Sequence, residues 1–266
     1  MLRKLHNLFG YKVEALDERV GSIDDFYFDD HSWTVRYVIV DTGSWLVDRR
    51  VLISTDAITA ISSAPETVSI NLTKEQIENS PTIDMEQPVS RQHELELQTY
   101  YGWPGYWTVS PLMGMPMMAT PMGVPAGVAE AEMVERTEDD ALLGDVSPTN
   151  EQRTIADSNL RSVREVTGYH IHATDGDIGH IQAIFAGEND WIIRYFLVDT
   201  RNWWPGKHVL LARDWVENIE WRDRSITVNV TREQVKDSPE YDPHEPVSHS
   251  YESALHNYYM FPGYWV

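Results

Sequence analysis

The chain contains no cysteine. That removes disulfides, thiolate nucleophiles, iron–sulfur clusters and cysteine-type zinc sites together. It also lacks any apolar run of about eighteen residues, so no membrane-spanning helix is expected. The opening stretch Met1-Leu2-Arg3-Lys4-Leu5 is basic, but polar His6, Asn7 and Lys12 come soon after it. It has neither the apolar core nor the small-residue cleavage site of a secretory signal, and a cytoplasmic location is the expectation. Basic side chains are scarce: 21 Lys and Arg stand against 42 Asp and Glu, a formal charge of −21. Such a surface repels phosphate backbones and anionic lipid, and no local basic patch offsets it, so nucleic acid is not expected as a partner.

What is present is a globular composition, 42% hydrophobic and 24% charged, in a chain of 266 residues, long enough for two domains with separate cores. The organising feature is a repeat. Placing Gly10-Tyr11 over Gly168-Tyr169 sets an offset of 158 that runs without a gap to Trp107 over Trp265, with about 35 of 98 paired positions identical. The matches include Gly21/Gly179, Trp33/Trp191, Arg36-Tyr37/Arg194-Tyr195 and Val40-Asp41-Thr42/Val198-Asp199-Thr200. The last block is Pro104-Gly105-Tyr106-Trp107 over Pro262-Gly263-Tyr264-Trp265. A period this long marks a duplicated domain. The expected division is a first domain at 1–108, a linker at 109–159 and a second domain at 160–266. The linker begins as a Met/Pro/Gly run and becomes acidic, with no sustained period of two or of 3.6. Its methionines invite a cuprous site, but a flexible apolar linker is the favoured reading.

Each copy reads as mainly β. Short runs at Val13–Ala15, Val20–Phe28, Val51–Ile53, Ala57–Ile61 and Thr67–Ile70 are bounded by turn residues. The run Trp33–Val40, and its counterpart Trp191–Val198, is nearly continuous in apolar residues, as a central strand covered on both faces would be. Five or six such strands in about seventy residues predict a small closed barrel without exposed edges. Each half is expected to fold around its own strands. Two short helices come next. Thr73-Lys74-Glu75-Gln76 and Thr231-Arg232-Glu233-Gln234 are capping boxes, and each helix is halted by Ser-Pro. A second helix starts at Ser90 or Ser248, and in the second copy Tyr251, Ala254, Leu255, Tyr258 and Tyr259 form an apolar stripe at helical spacing.

The path Leu8-Phe9-Gly10-Tyr11-Lys12-Val13, a short turn, Val20-Gly21-Ser22-Ile23, then Trp33 to Gly43 and Val51-Leu52-Ile53 resembles the PRC-barrel family, and the second copy shows the same succession. The resemblance covers roughly residues 1–70 and 160–228. The family includes the cytoplasmic domain of the photosynthetic reaction-centre H subunit and the C-terminal domain of a ribosome-maturation factor. It implies two tandem small β-barrels, each with short C-terminal helices, that work by binding other proteins. Unlike the H subunit, this chain shows no membrane-spanning helix; unlike the ribosome factor, it carries a second barrel.

Charged, histidine, acidic and aromatic groups supply the candidate sites. Arg36 with Asp41, and Arg194 with Asp199, read as fold-stabilising ion pairs. His170 and His172 would share one strand face, where two imidazoles can begin a zinc site, but Lys12 and Glu14 stand there in the first copy. Asp24-Asp25 with Asp29-Asp30, and Asp175-Gly176-Asp177, lack the ligand spacing of a calcium loop and read as solvated hairpin turns. The aromatic tails are the strongest candidates for protein contact or inter-domain packing: Tyr100, Tyr101, Trp103, Tyr106 and Trp107, and Tyr258, Tyr259, Phe261, Tyr264 and Trp265. Packing within the chain or across a homodimer is favoured over docking of another protein. No catalytic residue, cofactor or metal site is expected. The resulting expectation is a non-catalytic interaction or scaffold protein, its protein partner unidentified. The alternatives are a reaction-centre-H-like role in light-driven electron and proton transfer, a ribosome-assembly adaptor, and a metal-binding protein.

Overall fold

A computed structural model of the protein describes residues 1–46, 49–81, 89, 91–106, 159–200 and 207–265. Residues 1–89 together with 158–266 make one compact unit, and the helix at Arg91–Tyr101 belongs to a second. Nearly all of the linker expected at 109–159 lies outside the described residues.

The first half runs β1 (Leu2–Lys4), a 3₁₀ turn (Leu5–Leu8), β2 (Lys12–Glu14), β3 (Arg19–Asp29), β4 (Thr34–Asp41), β5 (Arg50–Ser54), a 3₁₀ turn (Thr55–Ala57), β6 (Ile58–Ser63), β7 (Glu66–Ile70), α1 (Lys74–Glu78) and α2 (Arg91–Tyr101). The second half repeats this: β8 (Leu160–Ser162), α3 (Val163–Val166), β9 (His170–Ala173), β10 (Gly176–Gly187), β11 (Ile193–Asp199), β12 (His208–Ala212), a 3₁₀ turn (Arg213–Trp215), β13 (Val216–Glu220), β14 (Ser225–Val228), α4 (Arg232–Asp237) and α5 (His249–Tyr259). The fold is mainly β, in two similar seven-stranded sheets.

The sheets run β5-β4-β3-β2-β7-β6 and β12-β11-β10-β9-β14-β13, with β2–β7 and β9–β14 parallel and the other pairs antiparallel. Neither path closes, which corrects the expectation of a closed barrel. The terminal strands β5 and β6 are consecutive in the chain, separated by the 3₁₀ turn Thr55–Ala57, and no ladder joins them. The interior is nonetheless dry: among Val13, Val38, Val40, Ile53, Ile58, Val68 and Ile70 there is no room for a water molecule.

Contrary to the expectation from the sequence, the halves do not each fold around their own strands. Each sheet takes its seventh strand from the other half. β1 pairs antiparallel with β10 (Leu2↔Gly187, Lys4↔Phe185), and β8 pairs antiparallel with β3 (Leu160↔Asp29, Ser162↔Tyr27). The exchange is symmetric at the 158-residue offset. Glu188 N donates to Met1 O at 3.0 Å, and Asp30 N to Asn159 O at 2.8 Å. Arg3 pairs with Glu188 as Arg161 pairs with Asp30. The turn after each exchanged strand buries its apolar residues completely, Leu5 and Leu8 in one and Val163 and Val166 in the other. The pseudo-two-fold passes between Thr34 and Ile192, which form an antiparallel bridge; Val35 N donates to Trp191 O and Ile193 N to Trp33 O. Trp33 and Trp191 hold φ of +57° and +56°, a left-handed conformation disfavoured by about 1 kcal/mol for a side chain with a Cβ. Trp33 is kept there by burial, stacked on Phe28 and edge-on to Phe196 of the other half.

Repeated residues explain the shared frame. Gly21 (φ +155°) and Gly179 (φ +137°) sit at register shifts of the β2–β3 and β9–β10 ladders, where the backbone passes the carbonyls of Asp41 and Asp199 so closely that a Cβ would overlap each oxygen. Both capping boxes form as expected. Arg49 and its counterpart Lys207 donate to carbonyls at the end of the short helix that follows, including Ser80 O and Ser238 O.

Candidate functional site

The second aromatic tail assembles on its own sheet. Ser248 caps α5, accepting from Tyr251 N at 3.2 Å, and Met260 closes the helix in a left-handed turn (φ +58°). The buried face of α5 is Glu252, Leu255, His256 and Tyr259. This corrects the expected stripe, because Ala254 and Tyr258 are exposed. The spacing is helical as anticipated, but rotated by one position so that two ionisable side chains lie inside.

Trp215, fully buried, is the anchor. Its ring meets Tyr259 at 4.4 Å, His256 at 5.4 Å and Phe261 at 5.5 Å. His256 Nδ1 lies 3.0 Å from Pro262 O. A carbonyl only accepts, so Nδ1 carries the proton there. In the neutral ring Nε2 is then the acceptor for the Tyr195 hydroxyl at 2.8 Å. Glu252 Oε1 accepts from Tyr264 OH at 2.9 Å. Burial first, then the Glu252 carboxylate, pushes the Tyr195 phenol up; the same two causes push Tyr264 up. Arg194 lies 4.1 Å over the Tyr264 ring and pairs with Asp190. Tyr258 OH donates to Gln234 O at 2.9 Å, and Trp265 packs edge-on to His249 and His256.

These groups border a cleft of about 430 Å³, lined by Asp190, Arg194, His249, Glu252 and Tyr264 and completed by Leu2 of the exchanged strand β1. Within it His249 Nδ1 and Glu252 Oε2 stand 3.9 Å apart, beyond hydrogen-bond reach, and Glu188 and Asp190 are the other carboxylates of the lining. Tyr264, Trp265 and Tyr258 remain more than a third exposed, and Met260 is 87% exposed.

The first tail, in the other unit, repeats part of this. Tyr106 OH donates to Glu94 Oε2 at 2.6 Å, the counterpart of Tyr264–Glu252. Tyr100 meets Tyr101 edge-on, and Tyr101 stacks on Trp103 at 4.1 Å. Trp107 lies outside the described residues. The composition-based reading missed Glu94, Glu252 and His256, because an apolar stripe count skips polar positions. The signal that could have found the glutamates is the repeat itself, which keeps Glu and Tyr at 94/252 and 106/264.

The other candidates are placed elsewhere. Arg36 donates to Ser32 Oγ at 3.2 Å, and Asp41 accepts from Gly43 N at 2.9 Å. The two stand five residues apart on one strand, about 16 Å, too far for the expected pair. Asp24 and Asp25 are not turn residues: both lie within β3, and Asp25 is buried. Asp25 accepts from Phe26 N, Arg164 N and Ser162 Oγ, yet burial still raises its pKa; burial likewise raises that of Asp30. His172 pairs with Asp177 in the hairpin, and His170 is exposed. Among the described residues no three His, Cys, Asp or Glu side chains are grouped to hold a metal ion. Among the same residues no helix is long and apolar enough to cross a membrane.

Residues 2–77 match the family model of the PRC-barrel domain. The chain contains a PRC-barrel domain. Residues 160–228 share its strand order at a constant offset, so the second half repeats the PRC-barrel topology within the same chain. No curated protein matches the chain. The tail helices α2 and α5 lie beyond the matched PRC-barrel segment.

Proposed function

We propose that this PRC-barrel protein is a non-catalytic scaffold that acts in the cytoplasm and binds another protein at the cleft and aromatic rim of its second half. The observation that supports this is the state of the ionisable groups there. Glu252 is engaged by Tyr264, Asp190 by Arg194 and Glu188 by Arg3. Groups fixed in this way present shape and charge, whereas a catalytic acid or base must be within reach of a proton to be moved. Tyr258, Met260, Tyr264 and Trp265 add amphipathic area of the kind that anchors protein interfaces.

The test is affinity purification from native cells with the wild-type chain and with a Tyr258→Ser/Met260→Ser variant. Both positions are exposed, and the bond lost from Tyr258 OH to Gln234 O lies at the surface, so the melting temperature should hold to within a few degrees. The expected outcome is a protein retained by the wild type and lost from the variant. An identical set of co-purifying proteins would argue against the rim as the binding surface.

A further inference from the structure

The exchanged strands bear on what this chain can assemble with. Each half is incomplete as a folding unit: the seventh strand on β3 and on β10, and the apolar turn that follows it, come from elsewhere in the chain. The contacts are those of an isologous interface, the same surface used twice around a pseudo-dyad. Leu2, Leu5 and Leu8 are matched by Leu160, Val163 and Val166, and Arg3 by Arg161. The covalent route between the halves passes through residues 107–158, and none of these contacts involves it.

The two docking surfaces are not identical. On the first half, Asp24, Asp25 and Asp30 face the incoming segment. Arg164 binds Asp24, Ser162 Oγ and Arg164 N bind Asp25, and Arg161 binds Asp30. On the second half the corresponding residues are Gln182, Ala183 and Glu188, and of these Glu188 pairs with Arg3. The segment bearing Ser162 and Arg164 therefore finds its full complement only on a first half. Like-with-like pairing would set Arg164 beside Gln182 and Ser162 beside Ala183, discarding those bonds.

We propose that the two halves associate as separate partners, first half with second, through the exchanged segments, and that a second half from another copy of this chain can occupy the same surface on β3. The linker serves to raise the local concentration of one half near the other.

The experiment inserts a site-specific protease sequence between residues 127 and 130 of the full chain and cleaves it to completion. The two fragments should remain one particle with the mass of the intact chain, 30.6 kDa, by native light scattering. When cleaved ¹⁵N-labelled and unlabelled samples are unfolded together in urea and refolded, native mass spectrometry should find hybrid particles in the statistical proportion. Fragments that elute as two smaller folded particles would overturn the proposal, as would refolded particles without hybrids. A cleaved Arg161→Glu/Arg164→Glu variant, its uncut form checked by circular dichroism, should dissociate at least about tenfold more readily. Equal retention would show that the exchanged segments are not what holds the halves. Arg164→Gln, at an arginine side chain 55% exposed, keeps the test open if the double variant does not fold.

Discussion

The two halves share a backbone frame but are secured differently, and the difference separates framework from specialisation. Both keep Gly21/Gly179 and Trp33/Trp191 where the chain passes another carbonyl or turns left-handed at the pseudo-dyad. They diverge at two places. The first half alone presents buried Asp25 to the segment it receives, where the second has Ala183. The second has Trp215 under its aromatic tail, whereas the residue at the same offset in the first half is Ala57. Duplication has thus preserved what the backbone requires and changed what the side chains grip.

The largest effect that would test this contrast is Trp215→Ala. Removing a fully buried indole that touches Tyr259, His256 and Phe261 should lower stability by about 4 kcal/mol in urea unfolding. A loss under about 1 kcal/mol would mean the second tail is held without its anchor. Next, Gly21→Ala and Gly179→Ala should each cost about 3 kcal/mol, since each Cβ meets a backbone oxygen in a disfavoured φ region. Gly10→Ala, at φ +82° with open space around it, should cost only about 1 kcal/mol. Equal losses at 21 and 179 are expected if the frame is common to both halves.

Asp25→Ala strands three donors and should cost about 2 kcal/mol, against almost nothing for Asp25→Asn, which keeps an acceptor oxygen. The pH dependence has a definite sign. Burial raises the folded pKa of Asp25 above its ordinary value of 3.8, so the ionised form is penalised in the folded state. Its contribution to stability is therefore lost as pH rises through the folded pKa and recovered as pH falls back towards 3.8. Urea midpoints at successive pH values should show a positive wild-type minus Asp25→Asn increment on acidification. A flat difference would remove Asp25 from the account. The smallest effects belong to the half-buried ion pairs at the rim of the exchanged strands: Arg3→Ala and Arg161→Ala should each cost about 1 kcal/mol, and nearly the same amount, because their partners Glu188 and Asp30 are symmetry equivalents.

Much of the framework could be read from residues. The capping boxes at Thr73 and Thr231 are local chemistry over four positions, and they form at those positions. The central strand was legible because a run such as Trp191–Val198 can be satisfied only where both faces are covered. The site was less legible. Glu252 and His256 sit on the buried face of α5, and nothing in their type announces it; hydrogen bonds to Tyr264, Tyr195 and Pro262 make that burial tolerable. Asp25 misled for the same reason: an aspartate beside another looks like a solvated turn until Ser162 and Arg164, far along the chain, supply its donors.

By itself the sequence determined a duplicated, mainly β chain with capped short helices and aromatic ends, since periodicity, turn residues and caps act over a few neighbouring positions. Which sheet each N-terminal strand joins was decided only in three dimensions. A three-residue strand carries the same local preferences on either sheet, and its destination is fixed by ion pairs and apolar contacts with residues more than 130 positions away, such as Asp30 for Arg161.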